Sequence, residues 1–333
     1  MIQAENDTIN MYKSYFYMCS SQLLIMDVLT DVLKVMGIAG AFFARSDGRA
    51  PWGLHFNGAQ LASFHIVTQG TCWLWLDGTE THVQLAAGDI ALLPQDAPHT
   101  LADAADSPVL EFGTVIAGRE RLSGPSVRVG GTGAPTVVLC GAYSAVLDAP
   151  HPVLSGLPPL MHLPAVQTRQ SGLPAVMQLL ATEAEQRTPG SQGAIDCLVD
   201  VLLVYVLRIW FEQHPENRPG WVGALNDRAI GRAITLIHEM PGKRWTVAQL
   251  ANEVGLSRAT FARHFAAQIG EPPLAYLTKW RMAIATQWLH TSNEPLAIIA
   301  ERVGYDSAFA FATAFKRARG ESPGQYRSRV QRS

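Results

Sequence analysis

Cationic and hydroxyl side chains collect late in this chain at a spacing suited to holding a polyanion. Arg258, Thr260, Arg263 and His264 stand close together, and Lys316, Arg317 and Arg319 follow about fifty residues on. A guanidinium presents a rigid fork of donors that matches guanine or phosphate, whereas a lysine ammonium acts on phosphate as a point charge. A second collection lies in the first third: His55, His65, His82 and His99, with Trp73 and Trp75 between them. Imidazoles can hold a metal or a polar ligand, and indoles can pack on an organic one. The four cysteines, Cys19, Cys72, Cys140 and Cys197, are far apart and form no Cys-x-x-Cys pair. That argues against a disulfide scaffold or a thiolate zinc site and fits a reducing compartment. Cys72 is read first as a small strand hydrophobe and only second as an oxidant sensor.

The elements that must position these groups fall into more than one domain. The chain has 333 residues, 48% of them hydrophobic and 16% charged. Such a chain is long and apolar enough for two or three packed cores and too apolar for a disordered protein. The longest apolar run, Leu198 to Phe211, contains Asp200 and Arg208. It is too short to span a bilayer and is read as a buried helix. Lys13 is the one basic residue of an N-terminus whose apolar stretch is broken by Ser20, Ser21 and Gln22. No secretory leader is read there, and a cytoplasmic protein without a membrane segment is expected. The net charge of −2 conceals a split, because residues 226–333 hold 15 Lys/Arg against 8 Asp/Glu and carry +7, which leaves −9 for the rest. A basic segment of that kind points weakly to nucleic acid. The stretch from His214 to Gly220 is rich in helix breakers and marks a linker at 213–225.

The basic segment repeats itself. Ala251-Asn-Glu-Val-Gly255 recurs as Ala300-Glu-Arg-Val-Gly304, and Gly270-Glu-Pro-Pro273 with Tyr276 recurs as Gly320-Glu-Ser-Pro323 with Tyr326. Each copy reads as a helix, a turn with Gly255 or Gly304 at its end, and a second helix capped by Ser257 or Ser307. Phe261 and Phe265 form the inner face of one second helix, and Phe311 and Phe315 that of the other. Helix-turn-helix units have this pattern, and their second helix enters the major groove. A connecting helix is expected from Pro273 to about Leu289, with Leu274, Leu277, Trp280, Ile284 and Trp288 as its apolar stripe. Such a rod, about 24 Å long, can set two recognition helices about one DNA turn apart.

These residues resemble the AraC/XylS family of transcriptional regulators. The resemblance rests on Ala251…Gly255, the Trp280-Arg-Met block, Ile299-Ala-Glu-Arg-Val-Gly-Tyr305, Ala314-Phe-Lys-Arg317 and Ser322-Pro-Gly-Gln-Tyr-Arg327. It implies binding to double-stranded DNA and control of transcription, as an activator that contacts RNA polymerase. The candidate DNA-contacting residues are Ser257, Arg258, Ala259, Thr260, Arg263 and His264 in the first unit, and Ser307, Ala308, Phe309, Ala310, Thr313, Lys316, Arg317 and Arg319 in the second. Arg263 matches a position where the family contacts bases. The second helix departs from the pattern: Thr313 stands where relatives often carry an arginine, and its outward residues are mostly apolar. It is expected to anchor on phosphate through Lys316, Arg317 and Arg319, with Phe309 either touching thymine methyls or packing against protein.

From Trp52 to Val115 short apolar runs alternate with turns, among them an Asp77-Gly78 hairpin signal. Gly88-Asp…Pro94…Pro98-His99 resembles the second half of the cupin motif, and Cys140-Gly-Ala-Tyr143 and Leu157-Pro-Pro-Leu-Met-His162 resemble cupin-type sensors that precede AraC-type domains. The cupin metal set is incomplete, since only His65 stands near the place of the expected His-x-His pair. A small organic effector is therefore expected at His65, Trp73, Trp75 and His99, with no metal, no cofactor and no catalytic residue. Alternation puts Trp73 and Trp75 on one strand face and Cys72 and Leu74 on the other, with the interior face undecided. Two amphipathic helices follow, from Leu173 to about Arg187 and from Gln192 to Phe211. The second is apolar around much of its circumference and needs a partner surface, either the barrel or another subunit; the resemblance favours a homodimer.

The expected architecture is a multidomain α+β chain. Residues 1–25 are an extension, either a disordered tail or a misassigned start; 26–165 form a cupin-like barrel with flanking helices; 166–212 are a helical pair. After the linker, 226–333 form an all-α domain of two helix-turn-helix units joined by a long helix. The rival reading is a cupin metalloenzyme fused to a DNA-binding module.

Overall fold

The computed structural model describes residues 32, 33, 35, 39–58, 61–117, 126–144, 157–186, 188–214, 223, 224 and 227–331. The extension 1–25 and most of the linker 213–225 lie outside the described residues. The described residues of the N-terminal part form eleven strands: β1 (Ala39–Arg49), β2 (Gly53–Phe56), β3 (Ala62–Gln69), β4 (Thr71–Leu76), β5 (His82–Ala86), β6 (Ile90–Leu93), β7 (His99–Ala102), β8 (Leu110–Glu111), β9 (Ser126–Gly130), β10 (Pro135–Ser144) and β11 (Met161–Leu163). They form two sheets, ordered β11-β6-β3-β10-β1-β9 and β5-β4-β7-β2-β8. The cupin-like fold is thus a two-sheet sandwich, and no strand pairing closes it into one continuous barrel among the described residues.

Strand alternation accounts for what each sheet covers. Residues Ala62 to Val67 of β3 are all buried, which requires cover on both faces of the larger sheet. Val67, Ala91, Leu93 and Val138 point into the sandwich and meet Leu54, Leu74, Leu85 and Leu101 of the smaller sheet. Phe64, Ile66, Ile90, Leu92 and Leu139 point the other way, onto helices. These are α3 (Leu173–Gln186) and α4 (Ser191–Gln213), which follow the short α1 (Phe112–Ala117) and α2 (Ala165–Thr168). The partner surface of the helical pair is therefore the sheet, and the Tyr143 hydroxyl donates to the Val199 carbonyl at 2.8 Å across that contact. Among the described residues the smaller sheet has no such cover, and Trp73, Trp75 and Gln84 are incompletely buried.

The C-terminal part is all α. It contains α5 (Arg228–Glu239), α6 (Val247–Glu253), α7 (Arg258–Ile269), α8 (Pro273–Thr291), α9 (Leu296–Arg302), α10 (Ala308–Arg319) and α11 (Pro323–Val330). The two start signals read from the sequence work as caps, Ser257 accepting from the Thr260 amide and Ser307 from the Ala310 amide. The structure adds two more: Asp227 accepts from the Ala229 and Ile230 amides at the start of α5, and Ser322 from the Gln325 amide at the start of α11. The expected stripe on α8 is corrected: Leu274 is exposed and Ile284 and Trp288 are half-buried, while Tyr276, Met282, Ala285 and Leu289 are buried. The physical reason is that α8 packs on two sides. Tyr276, Leu277, Trp280 and Ala283 join the core of the first unit, whereas Met282, Ala285 and Leu289 join Phe311, Phe315 and Tyr326 of the second.

Candidate DNA-binding face and sensor interior

The Trp280-Arg-Met block shows how α8 fixes the two units. Trp280 is buried and stacks on His238 of α5 at 3.9 Å between ring centroids, and Met282 is buried with the second unit. Arg281, between them, donates from Nε to the Pro241 carbonyl at 2.7 Å and from Nη2 to the Lys243 carbonyl at 2.8 Å. Its guanidinium also lies over the Tyr305 ring of the second unit at 5.8 Å. An exposed Arg244–Asp306 ion pair crosses the same junction. Asp306 is the one residue by which the second turn exceeds the first.

The recognition helices, α7 and α10, bury the expected phenylalanines completely: Phe261, Phe265, Phe311 and Phe315. What remains outward differs. On α7, Ser257, Arg258, Ala259 and Arg263 are exposed. Thr260 is half-buried and its hydroxyl accepts from Ser257 at 2.9 Å, so this pair serves the cap. His264 turns toward α5, with Nε2 at 2.7 Å from Gln268 Nε2 and 3.4 Å from Asp227 Oδ2. Burial alone would raise the Asp227 carboxyl; amide donation from Ile230 and Ala229, the Gln268 side chain and His264 together hold it below its ordinary value. On α10, Ala308 is half-buried, Phe309, Ala310, Thr313, Lys316 and Arg317 are exposed, and Arg319 is half-buried.

In the sandwich, two histidines from different sheets meet. His65 on β3 and His99 on β7 are 1% and 0% exposed, with their Nε2 atoms 2.7 Å apart. His99 donates from Nδ1 to the Ala97 carbonyl at 2.7 Å, so its Nε2 accepts and His65 Nε2 donates. Among the described residues, His65 Nδ1 is then a buried acceptor without a hydrogen-bond partner. Phe56 stacks on His99 at 4.9 Å and touches His65 at 4.8 Å, and Phe112 stacks on Phe56 in turn. Burial drives His65 well below the usual imidazole range, and His99 adds to this. Burial also lowers His99, against the pull of the Ala97 carbonyl. Both shifts favour the neutral imidazole.

Trp73 and Trp75 are set apart from this pair. Cys72 and Leu74 take the interior face of β4, which leaves the two indoles on its outer face, where Trp75 stacks on His82 at 4.8 Å. The expected cluster of two histidines and two tryptophans is thus divided between the inside and the outside of the sandwich. His55 is also outside the pair: its ring nitrogens lie 3.0 Å from Asp77 and 2.9 Å from Glu111. Burial opposes its charge, but both carboxylates hold the ring above the usual range. Cys72 and Cys140 lie in the apolar core, where burial pushes each thiol up to about 12, the state of an inert small hydrophobe. Among the described residues no group of three or more His, Cys, Asp or Glu is placed to hold a metal. Among them, too, no helix is long and apolar enough to cross a membrane.

Comparison with known proteins falls along the same division. A family model described as Cupin matches residues 27–212, and one described as Helix-turn-helix domain matches residues 250–329. A putative AraC-like transcription regulator of Streptomyces lividans is 35% identical over 306 residues, covering 91% of this chain and 98% of its own length. One of Streptomyces antibioticus is 33% identical over 302 residues, again covering 91% and 98%. The chain belongs to the AraC/XylS family. As a family member it is a DNA-binding transcriptional regulator with an N-terminal cupin domain. Among solved structures, the DNA-binding domain of AdpA in complex with a target DNA is 28% identical, with 32% of this chain and 94% of that chain covered and a TM-score of 0.30.

Proposed function

We propose that this AraC/XylS regulator is switched by a small organic effector held between the two sheets at His65 and His99. It acts in the cytoplasm as a homodimeric activator that contacts RNA polymerase, and it carries out no catalysis. The observation that carries the effector reading is the buried imidazole pair. A buried acceptor left unpaired costs about 1–3 kcal/mol, and an effector donor at His65 Nδ1 would recover that cost. Phe56 and Phe112 beside the pair offer aromatic surface to the rest of such a molecule. Effector contact is assigned to the two histidines, and Trp73 and Trp75 to the outer surface. Exposed Leu179 on α3 and Val201 on α4 support a subunit contact on the helical pair. DNA contact is assigned to Arg258 and Arg263 as readers and to Lys316, Arg317 and Arg319 as phosphate anchors, with Ser257, Thr260 and Ser307 holding the helix starts.

A ligand shifts a two-state regulator only by its differential affinity for the two states. Substituting the histidines should therefore remove the response without removing DNA binding. The test is reporter output from His65→Ala and His99→Ala across candidate effectors, with operator affinity measured in parallel. Loss of induction at retained affinity is expected, and unchanged induction in both variants would contradict the effector site.

A further inference from the structure

The two recognition helices share a core and a cap and differ in what they turn outward. Between Arg258 and Arg263, α7 presents two guanidiniums. Over the equivalent stretch, Ala308 to Thr313, α10 presents Ala308, Phe309, Ala310 and Thr313. The Thr313 hydroxyl is already engaged, donating to the Phe309 carbonyl of its own helix at 3.0 Å. That stretch therefore offers no uncommitted side-chain donor to a base edge. It offers a phenyl ring instead: Phe309 is 83% exposed, more than any other large apolar side chain among the described residues.

A single exposed apolar side chain needs no explanation by itself, but this ring stands on a helix whose other outward groups point to one kind of partner. Charge identifies the occupant, because Lys316 and Arg317 stand exposed further along the same helix and call for a polyanion. The internal repeat adds to this, since Phe309 sits two residues after Ser307 as Ala259 sits two residues after Ser257, on the helix that the motif assigns to the major groove. In that groove the apolar group a base presents is the thymine C5-methyl. We infer that Phe309, flanked by Ala308 and Ala310, recognises thymine by packing on its methyl group. One half of the operator is then read by guanidinium contacts from α7, and the other by apolar contact from α10. The inference rests on the reading of α7 and α10 as the DNA-binding helices and adds to it the base class taken by the second.

The test uses the full chain and the duplex site it selects from a random library. Each thymine of that site is replaced in turn by deoxyuridine, which keeps base pairing and removes only the methyl. A run of thymines about one helical turn from the guanines read by α7 should be sensitive, each lost methyl contact weakening binding about fourfold (about 0.8 kcal/mol). Phe309→Ala should weaken binding to the thymine-containing site and abolish the sensitivity, whereas Phe309→Leu should retain part of both. Because the ring is in solvent, neither change removes core packing. Full affinity for every deoxyuridine site with Phe309 intact would overturn the inference. So would a Phe309→Ala protein that binds DNA normally but activates poorly at a saturated promoter, which would assign the ring to a protein partner. A library yielding no enriched sequence would instead overturn the DNA-binding reading on which the inference stands.

Discussion

Arg263 projects from the middle of α7, whereas Arg317 lies near the C-terminal end of α10, and both are exposed. A side chain in the groove can discriminate bases, while one on the backbone positions without specifying. Arg263→Ala is expected to weaken binding to the cognate site by about 1–3 kcal/mol and to leave binding to unrelated duplex unchanged. Arg317→Ala should weaken binding to every sequence alike and reduce the salt slope by about one. Fluorescence anisotropy on cognate and scrambled duplexes separates the two, and identical specificity profiles would contradict the division into reader and anchor. At this scale the sequence is informative about residue type and less so about direction. His264 follows Arg263 and reads as a second contact, yet it turns to Asp227, a residue 37 positions earlier that also caps α5. Trp73 and Trp75 must share a face by alternation, but which face is interior depends on the sheet opposite. The meeting of His65 with His99 depends likewise on strands of two different sheets.

Gly255 and Gly304 occupy the same place in the two units, each closing the first helix in the left-handed region at φ +71° and +80°. Their surroundings differ. Among the described residues a Cβ on Gly255 would meet nothing within 4 Å, while one on Gly304 would lie 2.5 Å from Arg281 Nη2 and 2.6 Å from the Gly242 carbonyl. Gly255→Ala is thus expected to cost only the left-handed penalty, about 1–2 kcal/mol. Gly304→Ala should cost more, because Arg281 and the 241–243 loop must also give way. Thermal denaturation of the two variants checks this, and equal destabilisation would show that the junction at Arg281 is not tight. Both turns, both caps and the four inner phenylalanines of α7 and α10 are legible in the sequence, because they are local and repeated. The apolar stripe of α8 is not, because a helix packed on two sides carries two overlapping stripes and no single period describes both. The helical pair gives a similar lesson: the apolar girth of α4 shows that it needs a partner, and only the fold shows that the sheet supplies it.

Across the whole molecule, one buried apolar cluster runs from the outer face of the larger sheet through α3 and α4 into α5 to α8. The charge split runs along the chain in the same sense, with +7 on residues 226–333 and −9 on those before them. The division into a cupin part and a helix-turn-helix part is legible from composition, repeat and resemblance, because each part carries its own local signatures. If the basic C-terminal helices hold DNA, they displace counterions from its phosphates. Observed affinity must then fall linearly on a log–log scale as salt rises, with a slope near −0.9 per phosphate contacted. The most direct measurement is the affinity of residues 226–333 for duplex DNA over a series of salt concentrations, read by mobility shift. A fragment that binds with a steep salt slope, flattened by Arg317→Ala, is the expected result; a folded fragment showing no salt-dependent binding would rule out DNA contact by these helices.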